Sequence, residues 1–166
     1  MNRPVIRIVG LRKSFGARVV LEDVSFAVEA GEVVAVLGAS GAGKTTLFRC
    51  LTRLAQSDQG EIYLGEHAMQ TLDGRELAMA RREVGLIFQQ FNLIRRLSAL
   101  DNVLAGRLGN VPTWRVMLRR FPHRDRQLAL AALDRVGLLS YALQRADSLS
   151  GGQQQRVAIA RALAQQ

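Results

Sequence analysis

The sequence predicts an α/β fold in which short strands come first and helices follow. Residues 33–37 are a run of apolar residues rich in valine, as expected of a buried parallel strand. This run passes through a glycine-rich turn into a segment with helical apolar periodicity. From Phe91 onward, helical patterns replace strand patterns almost completely. Together these observations predict a core with a parallel sheet and a separate helical region.

Shorter strand patterns surround the central run. Residues 4–9 (PVIRIV) and 24–28 (VSFAV) predict two strands with a turn at Gly16 between them, and so a small antiparallel sheet. Residues 61–64 predict another short strand, and 84–88 (VGLIF) predict a second buried strand.

Five segments carry helix patterns. Ser98 is placed to cap a helix over residues 97–106, and Gly137 follows a clear helix at its C′ position. The predicted helices cover residues 45–55, 75–82, 97–106, 125–136 and 139–146. Residues 113–120 (TWRVMLRR) form a basic amphipathic segment.

The glycine-rich turn has a specific spacing, Gly38-x-x-x-x-Gly43-Lys44-Thr45. In a strand–loop–helix context this is a phosphate-binding loop, because glycines let backbone N–H groups converge on an anion. The following helix adds the positive end of its dipole. Lys44 reaches the β- and γ-phosphates and the Thr45 hydroxyl faces Mg²⁺, so the spacing predicts a nucleoside triphosphate with Mg²⁺. The predicted cradle consists of Gly38, Ala39, Ser40, Gly41, Ala42, Gly43, Lys44, Thr45 and Thr46.

Composition narrows the class of protein. The chain has 166 residues, 48% hydrophobic and 22% charged, which indicates a globular domain. No apolar run reaches the ~20 residues of a membrane span, the N-terminus lacks a secretory h-region, and the single Cys50 fits the cytosol. The net charge of +9 favours an anionic partner. Because the arginines are scattered with few aromatics between them, we expect a solvated or membrane-facing surface and no direct nucleic-acid contact.

Two residues outside the loop have alternative interpretations. Phe15 is either an aromatic platform for an adenine ring or a core residue of a half-buried strand, and periodicity favours the core. Gln89 ends the predicted strand 84–88, where α/β sheets bind ligands. Its amide would orient Mg²⁺ or an attacking water, or it simply begins a loop.

A second motif follows the helical region. Ser150 and Gln153 match a capping box in front of an amphipathic helix. The two residues between them, Gly151 and Gly152, are unusual in a capping box because glycine weakens the first helical turn. The alternative is a second anion site, made by the Ser150 hydroxyl and the glycine N–H groups.

In this order the motifs resemble those of the ATP-binding subunits of ABC transporters. Gly38–Thr45 corresponds to Walker A, Gln89 to the Q-loop and residues 149–153 to the LSGGQ signature. Phe15 falls where the family places its adenine-stacking aromatic. Within the family, residues 91–109, the insert around Thr113, Trp114 and Arg115, and residues 145–163 resemble the ATP-binding subunits of phosphonate importers.

The resemblance implies a division of the chain and of its site. Residues 1–90 would be the first part of the ATP-binding core, 91–148 a helical subdomain and 149–166 the signature motif with its helix. Lys44 and Gln89 would be catalytic, and Thr45 and Gln89 would hold Mg²⁺. The residues that would contact the ATP of a partner subunit are Ser150, Gly151, Gly152 and Gln153.

The resemblance also implies an assembly. Two copies would face each other head to tail, with membrane-spanning permease subunits and a separate solute-binding protein completing the complex. The subunit would be peripheral, on the cytoplasmic face of the cell membrane. ATP binding would close the pair and energise phosphonate uptake.

One expected motif is missing from the sequence as given. The family places an apolar strand ending in Asp-Glu after the signature helix, followed by a histidine, and no earlier segment supplies them. We therefore expect the 166 residues to be about the first two-thirds of a subunit, with the C-terminal part of the core absent. Alone, they are expected to be unstable and not to turn over ATP, since losing such a base typically costs ~10²–10⁴ in rate.

Other functions stay open at this point. They are import of an amino acid or a phosphate ester, a non-transport ABC protein that meets nucleic acid, and a truncated chain that occupies membrane partners without turnover.

Overall fold

The computed structural model describes residues 4–112, 114 and 120–165. The chain divides into two compact units, Met1–Arg81 and Arg82–Gln166, which we call the loop unit and the signature unit. Among the described residues, every helix is too short or too polar to cross a bilayer. The predicted three-part division at residues 90 and 148 stays a prediction.

The sheet of the loop unit is antiparallel. Its strands are β1 (Ile6–Phe15), β2 (Arg18–Val28), β3 (Gln59–Leu64) and β4 (His67–Ala68), in the order β2-β1-β3-β4. Adjacent residues of a strand face opposite sides, but a register shift between Ile8 and Leu11 turns both side chains into the core. The predicted antiparallel sheet is confirmed, and β1 extends beyond its predicted end to Phe15.

Two helices belong to the loop unit. α1 (Lys44–Leu51) buries Leu47, Cys50 and Leu51, and α2 (Gly74–Arg82) buries Ala80. α1 ends before the predicted residue 55, because Arg53 has a left-handed backbone with φ 52°. Burial raises the pKa of the Cys50 thiol, as expected of a small core residue.

The strands predicted over residues 33–37 and 84–88 are wrong. The structure assigns no strand to either segment, and the sheet of the loop unit does not contain residues 33–37. An apolar run indicates a segment suited to a sheet, but a strand also needs a hydrogen-bonding neighbour, which the run itself does not specify. Val33 is 95% exposed and Leu37 89% exposed, so this run forms an apolar surface.

The signature unit is helical. α3 (Ala99–Leu104) continues as a 3-10 helix (Ala105–Asn110), and α4 (His123–Arg135) and α5 (Gly151–Leu163) follow. These helices share one apolar core, whose largest members include Leu100, Val103, Leu104, Leu133, Leu138, Leu149 and Val157. A buried ion pair at 2.9 Å joins Arg107 to Asp125, and Arg107 also donates to the Ala164 carbonyl at 3.1 Å.

Two predicted helix ends in this unit are confirmed. Ser98 caps α3 by accepting from the Asp101 N–H at 3.0 Å, and Gly137 follows α4 with φ 69°. The helix predicted over 139–146 is wrong: this region has 3-10 turns at Leu139–Tyr141 and Ala146–Ser148. Its backbone carbonyls instead accept from the first N–H groups of α3. The basic segment 113–120 lies outside the described residues, apart from Trp114 and Arg120.

Candidate functional site

The glycine-rich turn forms a tight loop on top of β2. Gly41 and Gly43 have φ 81° and 91°, a backbone conformation that disfavours residues with a side chain. A Cβ on Gly43 would lie 2.8 Å from the Val20 carbonyl oxygen. The bare backbone at this position therefore lets the loop and helix α1 pack directly on the sheet.

Lys44 is folded back across this loop. Its Nζ donates to the carbonyl oxygens of Gly38 at 2.6 Å and Ala39 at 2.7 Å. An ammonium group has three donors, so two serve the loop and one remains for an anion. The hydroxyl-bearing residues follow directly, with Thr45 exposed and Thr46 half-buried. All nine predicted cradle residues thus lie in one loop and the first turn of α1.

The two ends of α1 have different contacts. Gly43 precedes the helix with no side-chain cap, and the first turn contains no acidic residue. At the other end, Arg81 donates to the carbonyls of Thr52 at 2.8 Å and Arg53 at 2.7 Å. The positive end of the helix dipole is therefore open to an anion while the negative end is covered by a cation.

An aromatic and a cation lie at the hairpin beside the loop. Phe15 is 56% exposed, so its interpretation as a core residue is wrong; its stacking role stays a prediction. It pairs in the β1–β2 register with Arg18, whose Nη2 would lie 3.9 Å from a Cβ on Gly41. The position of Arg18 could not be predicted from the sequence, because nothing in its immediate sequence shows that the hairpin places it beside the loop.

Lys13, the other lysine of the chain, has a structural contact. Its Nζ forms an ion pair with Asp58 at 2.7 Å, and the Ser14 N–H donates to the same carboxylate at 2.6 Å. The hydrogen bond from Lys13 is the main cause that lowers the pKa of Asp58 below its usual value, helped by the Ser14 bond. This contact ties the end of β1 to the segment before β3.

The groups around the loop suit the two predicted ligands to different degrees. The open α1 N-terminus, the glycine backbone and the Lys44 ammonium fit a polyphosphate. The described residues contain no cluster of three or more His, Cys, Asp or Glu side chains suited to a metal ion. Mg²⁺ beside Thr45 would thus take most of its ligands from phosphate oxygens and water, as this ion commonly does.

The signature motif begins helix α5. Gln153 Oε1 accepts from the Ser150 N–H at 2.8 Å, and Ser150 Oγ accepts from the Gln153 N–H at 3.3 Å. The predicted capping box is therefore confirmed. A Cβ on Gly151 or Gly152 would meet no atom of the described residues within 4 Å, so packing among those residues does not require either glycine.

Gln89 is exposed and lies in the signature unit together with the Ser150–Gln153 motif. Phe15, Arg18 and the glycine-rich loop lie in the loop unit. The structure thus distributes the predicted site residues over two units of the chain.

Comparisons with known proteins identify the family of the chain. The family model described as ABC transporter matches residues 21–166. The chain belongs to the ABC transporter family. Among solved structures, an ATP-binding cassette, MJ0796, in a dimeric post-hydrolysis state bound to ADP and Pi, superposes with a TM-score of 0.78 at 34% identity. That match covers 96% of this chain and 69% of the cassette, and the α/β fold of an ABC ATPase is thereby confirmed.

Curated relatives of this ABC transporter chain are named as importers. It is 54% identical over 159 residues to the phosphonates import ATP-binding protein PhnC 1 of Rhodopseudomonas palustris, covering 96% of this chain and 59% of that protein. It is 49% identical over 165 residues to the hypophosphite import ATP-binding protein HtxD of Stutzerimonas stutzeri, covering 99% of this chain and 48% of HtxD. The chain therefore spans about half to three-fifths of the length of these relatives.

Proposed function

We propose that this chain is the ATP-binding and ATP-hydrolysing part of an ABC importer that takes up phosphonate. The observation that carries the proposal is the phosphate loop, where Lys44 lies across the loop carbonyls at the uncapped end of α1. The phosphonate substrate rests on the name of the relative that is 54% identical.

In this proposal the loop residues 38–46 bind the ATP phosphates and Phe15 stacks on the adenine. Lys44 offers its third ammonium donor to the β- and γ-phosphates. Thr45 and Gln89 would hold Mg²⁺, which neutralises phosphate charge when bound. The Gln89 amide would also orient the attacking water.

The partners follow from the same proposal. A second copy would bind head to tail, so that Ser150, Gly151, Gly152 and Gln153 contact the ATP held by the other loop. Membrane-spanning permease subunits and a solute-binding protein would complete the importer at the cytoplasmic face of the cell membrane. The net charge of +9 suits a surface near anionic lipid and, in this proposal, does not serve nucleic-acid binding.

Hypophosphite is the second candidate substrate, because the relative named for hypophosphite import is 49% identical. Both candidates contain phosphorus, so one growth experiment separates them. A strain that lacks its own ATPases for both uptake systems receives the complete gene product that carries this sequence. Growth on a phosphonate as sole phosphorus source is expected, with Lys44→Ala as the inactive control. Growth on hypophosphite but not on a phosphonate would mean that hypophosphite is the substrate. Growth no better than that of the Lys44→Ala control on either compound would refute the proposal.

A further inference from the structure

The segment that contains Gln89 is tied to the end of helix α5 and to Gln165, which follows the helix, within the signature unit. Before Gln89, the Gln165 side chain donates to the carbonyls of Arg82 at 3.2 Å and Val84 at 3.3 Å. A Cβ on Gly85 would lie 3.2 Å from the Ala162 Cβ, so the backbone passes close to the helix there. The backbone of residues 82–85, which leads to Gln89, is therefore held beside the C-terminal end of α5.

After Gln89 the backbone is in a rare conformation. Phe91 and Asn92 both have left-handed backbones, with φ 57° and 46°. Asparagine tolerates this region, but a bulky aromatic residue rarely adopts it. Such a conformation persists only where surrounding contacts hold it, and these outliers occur often at switch regions.

Arg161 of α5 adds side-chain contacts to this turn, in which the Phe91 and Asn92 N–H groups already donate to the carbonyls of Phe88 and Gln90. Its Nη2 donates to the Phe91 carbonyl at 2.7 Å and its Nη1 to the Asn92 carbonyl at 2.9 Å. Burial lowers the pKa of Arg161, and among the described residues no carboxylate pairs with it. Its planar fork therefore serves two neighbouring carbonyls, a geometry that a lysine does not reproduce.

The helical turn that carries Arg161 is itself fixed. A Cβ on Gly106 would lie 2.5 Å from the Arg161 carbonyl oxygen, so the 3-10 helix after α3 packs directly on this turn. Ser150 caps the opposite end of the same helix, about 16 Å away at 1.5 Å per residue. A single helix thus joins the Gln89 segment to the signature glycines.

We propose that Arg161 is a positioning residue that holds the turn after Gln89 to α5, so that the Gln89 segment and the signature motif move together. The inference rests on the proposed function, in which Gln89 faces the chain's own ATP and Ser150–Gly152 face the ATP of the partner. A movement of Gln89 at one nucleotide would then shift the contacts to the other. Arg161 would couple the two ATP sites without touching either nucleotide.

The test compares Arg161→Lys and Arg161→Gln with Arg156→Lys in the complete gene product. Arg156 is a matched control on α5, since it also donates to a backbone carbonyl, that of Val136 at 3.2 Å. We expect both Arg161 variants to keep the affinity for ATP within about 2-fold. Their kcat should fall about 10-fold or more, because misplacement of a group by a mutation far from the chemistry can cost this much in rate. The Hill coefficient for ATP should fall toward 1, because the coupling between the two ATP sites is lost. Arg156→Lys should change none of these values.

Amide hydrogen exchange, measured without nucleotide, tests the contact between Arg161 and the turn after Gln89 separately from the proposed function. Exchange at residues 90–93 should accelerate in both Arg161 variants, while exchange around the Ser150 cap stays unchanged. If the protein without substitutions has no ATPase activity, the proposed function is refuted. The exchange result then decides by itself whether Arg161 holds the turn after Gln89. The positioning role is overturned by unchanged kcat and Hill coefficient, by unchanged exchange, or by parallel loss of affinity and folding in both variants.

Discussion

Two helices in this chain start from similar glycine-containing motifs and present different N-termini. α1 starts after Gly43 with no side-chain cap, whereas α5 starts in a complete capping box between Ser150 and Gln153. The first N–H groups of α1 stay available for an anion, whereas the Ser150 side chain already accepts from one N–H group of α5. An uncapped helix start inside a glycine loop therefore favours a ligand that is bound by the chain carrying the loop. A capped start is stable without a ligand.

The glycines of the two motifs differ in the same way. Gly43 is required by its φ of 91° and by the Val20 carbonyl oxygen, so folding alone explains it. Gly151 and Gly152 have open space where a Cβ would be, so folding does not explain them. A glycine pair without a packing reason favours close approach by another molecule, which agrees with the proposed contact to a partner's ATP.

The largest effect is expected at the uncapped end. Lys44→Ala removes the ammonium group that bridges Gly38 and Ala39, and should lower kcat of the complete gene product by about 10²–10³. Arg49→Ala is the matched control, because it removes a positive charge from the last turn of the same helix. A steady-state ATPase assay in which both variants fall equally would mean that Lys44 acts only through net charge.

The glycine comparison is tested by alanine. Gly43→Ala should lower the free energy of unfolding by about 1–3 kcal/mol, because it combines left-handed backbone with a clash against Val20. Gly152→Ala should raise it by about 0.5–1 kcal/mol, since alanine is the better helix former and meets no neighbour. Urea unfolding measures both. Equal destabilisation by the two substitutions would remove the distinction between the motifs.

The capping box predicts a smaller change. Ser150→Ala removes the acceptor for the Gln153 N–H and should cost about 1 kcal/mol of unfolding free energy. Ser148→Ala deletes a hydroxyl two residues earlier, which donates to a carbonyl but caps no α-helix, and should cost less. If both substitutions lower the midpoint temperature of thermal unfolding equally, the capping box contributes little to the free energy of unfolding.

Acid should distinguish the Asp58 contact from the Arg161 contacts, with the smallest effect of the four. The pKa of the Asp58 carboxylate is lowered by Lys13, whereas Arg161 donates to backbone carbonyls, which do not titrate. A lowered pKa means that the stabilisation is present above the unfolded pKa of about 3.9 and is lost as pH falls through the folded value. Asp58→Asn should therefore reduce the loss of unfolding free energy below about pH 4. An unchanged acid slope would contradict this.

Local patterns explain what the sequence predicted well. The glycine-rich loop, the Ser98 cap, the Ser150–Gln153 box and Gly137 after α4 are each set by residues a few positions apart, and phosphate binding by the loop stays a prediction. Features that depend on distant partners were missed. Residues 33–37 needed a strand partner that the apolar run does not specify, and Arg161 contacts carbonyls 69 and 70 residues earlier in the chain. Periodicity likewise placed Phe15 in the core, although the hairpin exposes it.

The bond from Arg107 to the Ala164 carbonyl has a consequence for synthesis of the protein. This contact joins residues 57 positions apart and needs the end of α5, so the signature unit acquires it only after residue 164 has left the ribosome. The sheet contacts of the loop unit all lie between residues 6 and 68. During translation the sheet of the loop unit is therefore available to form first, and the end of helix α5 joins the signature unit many codons later.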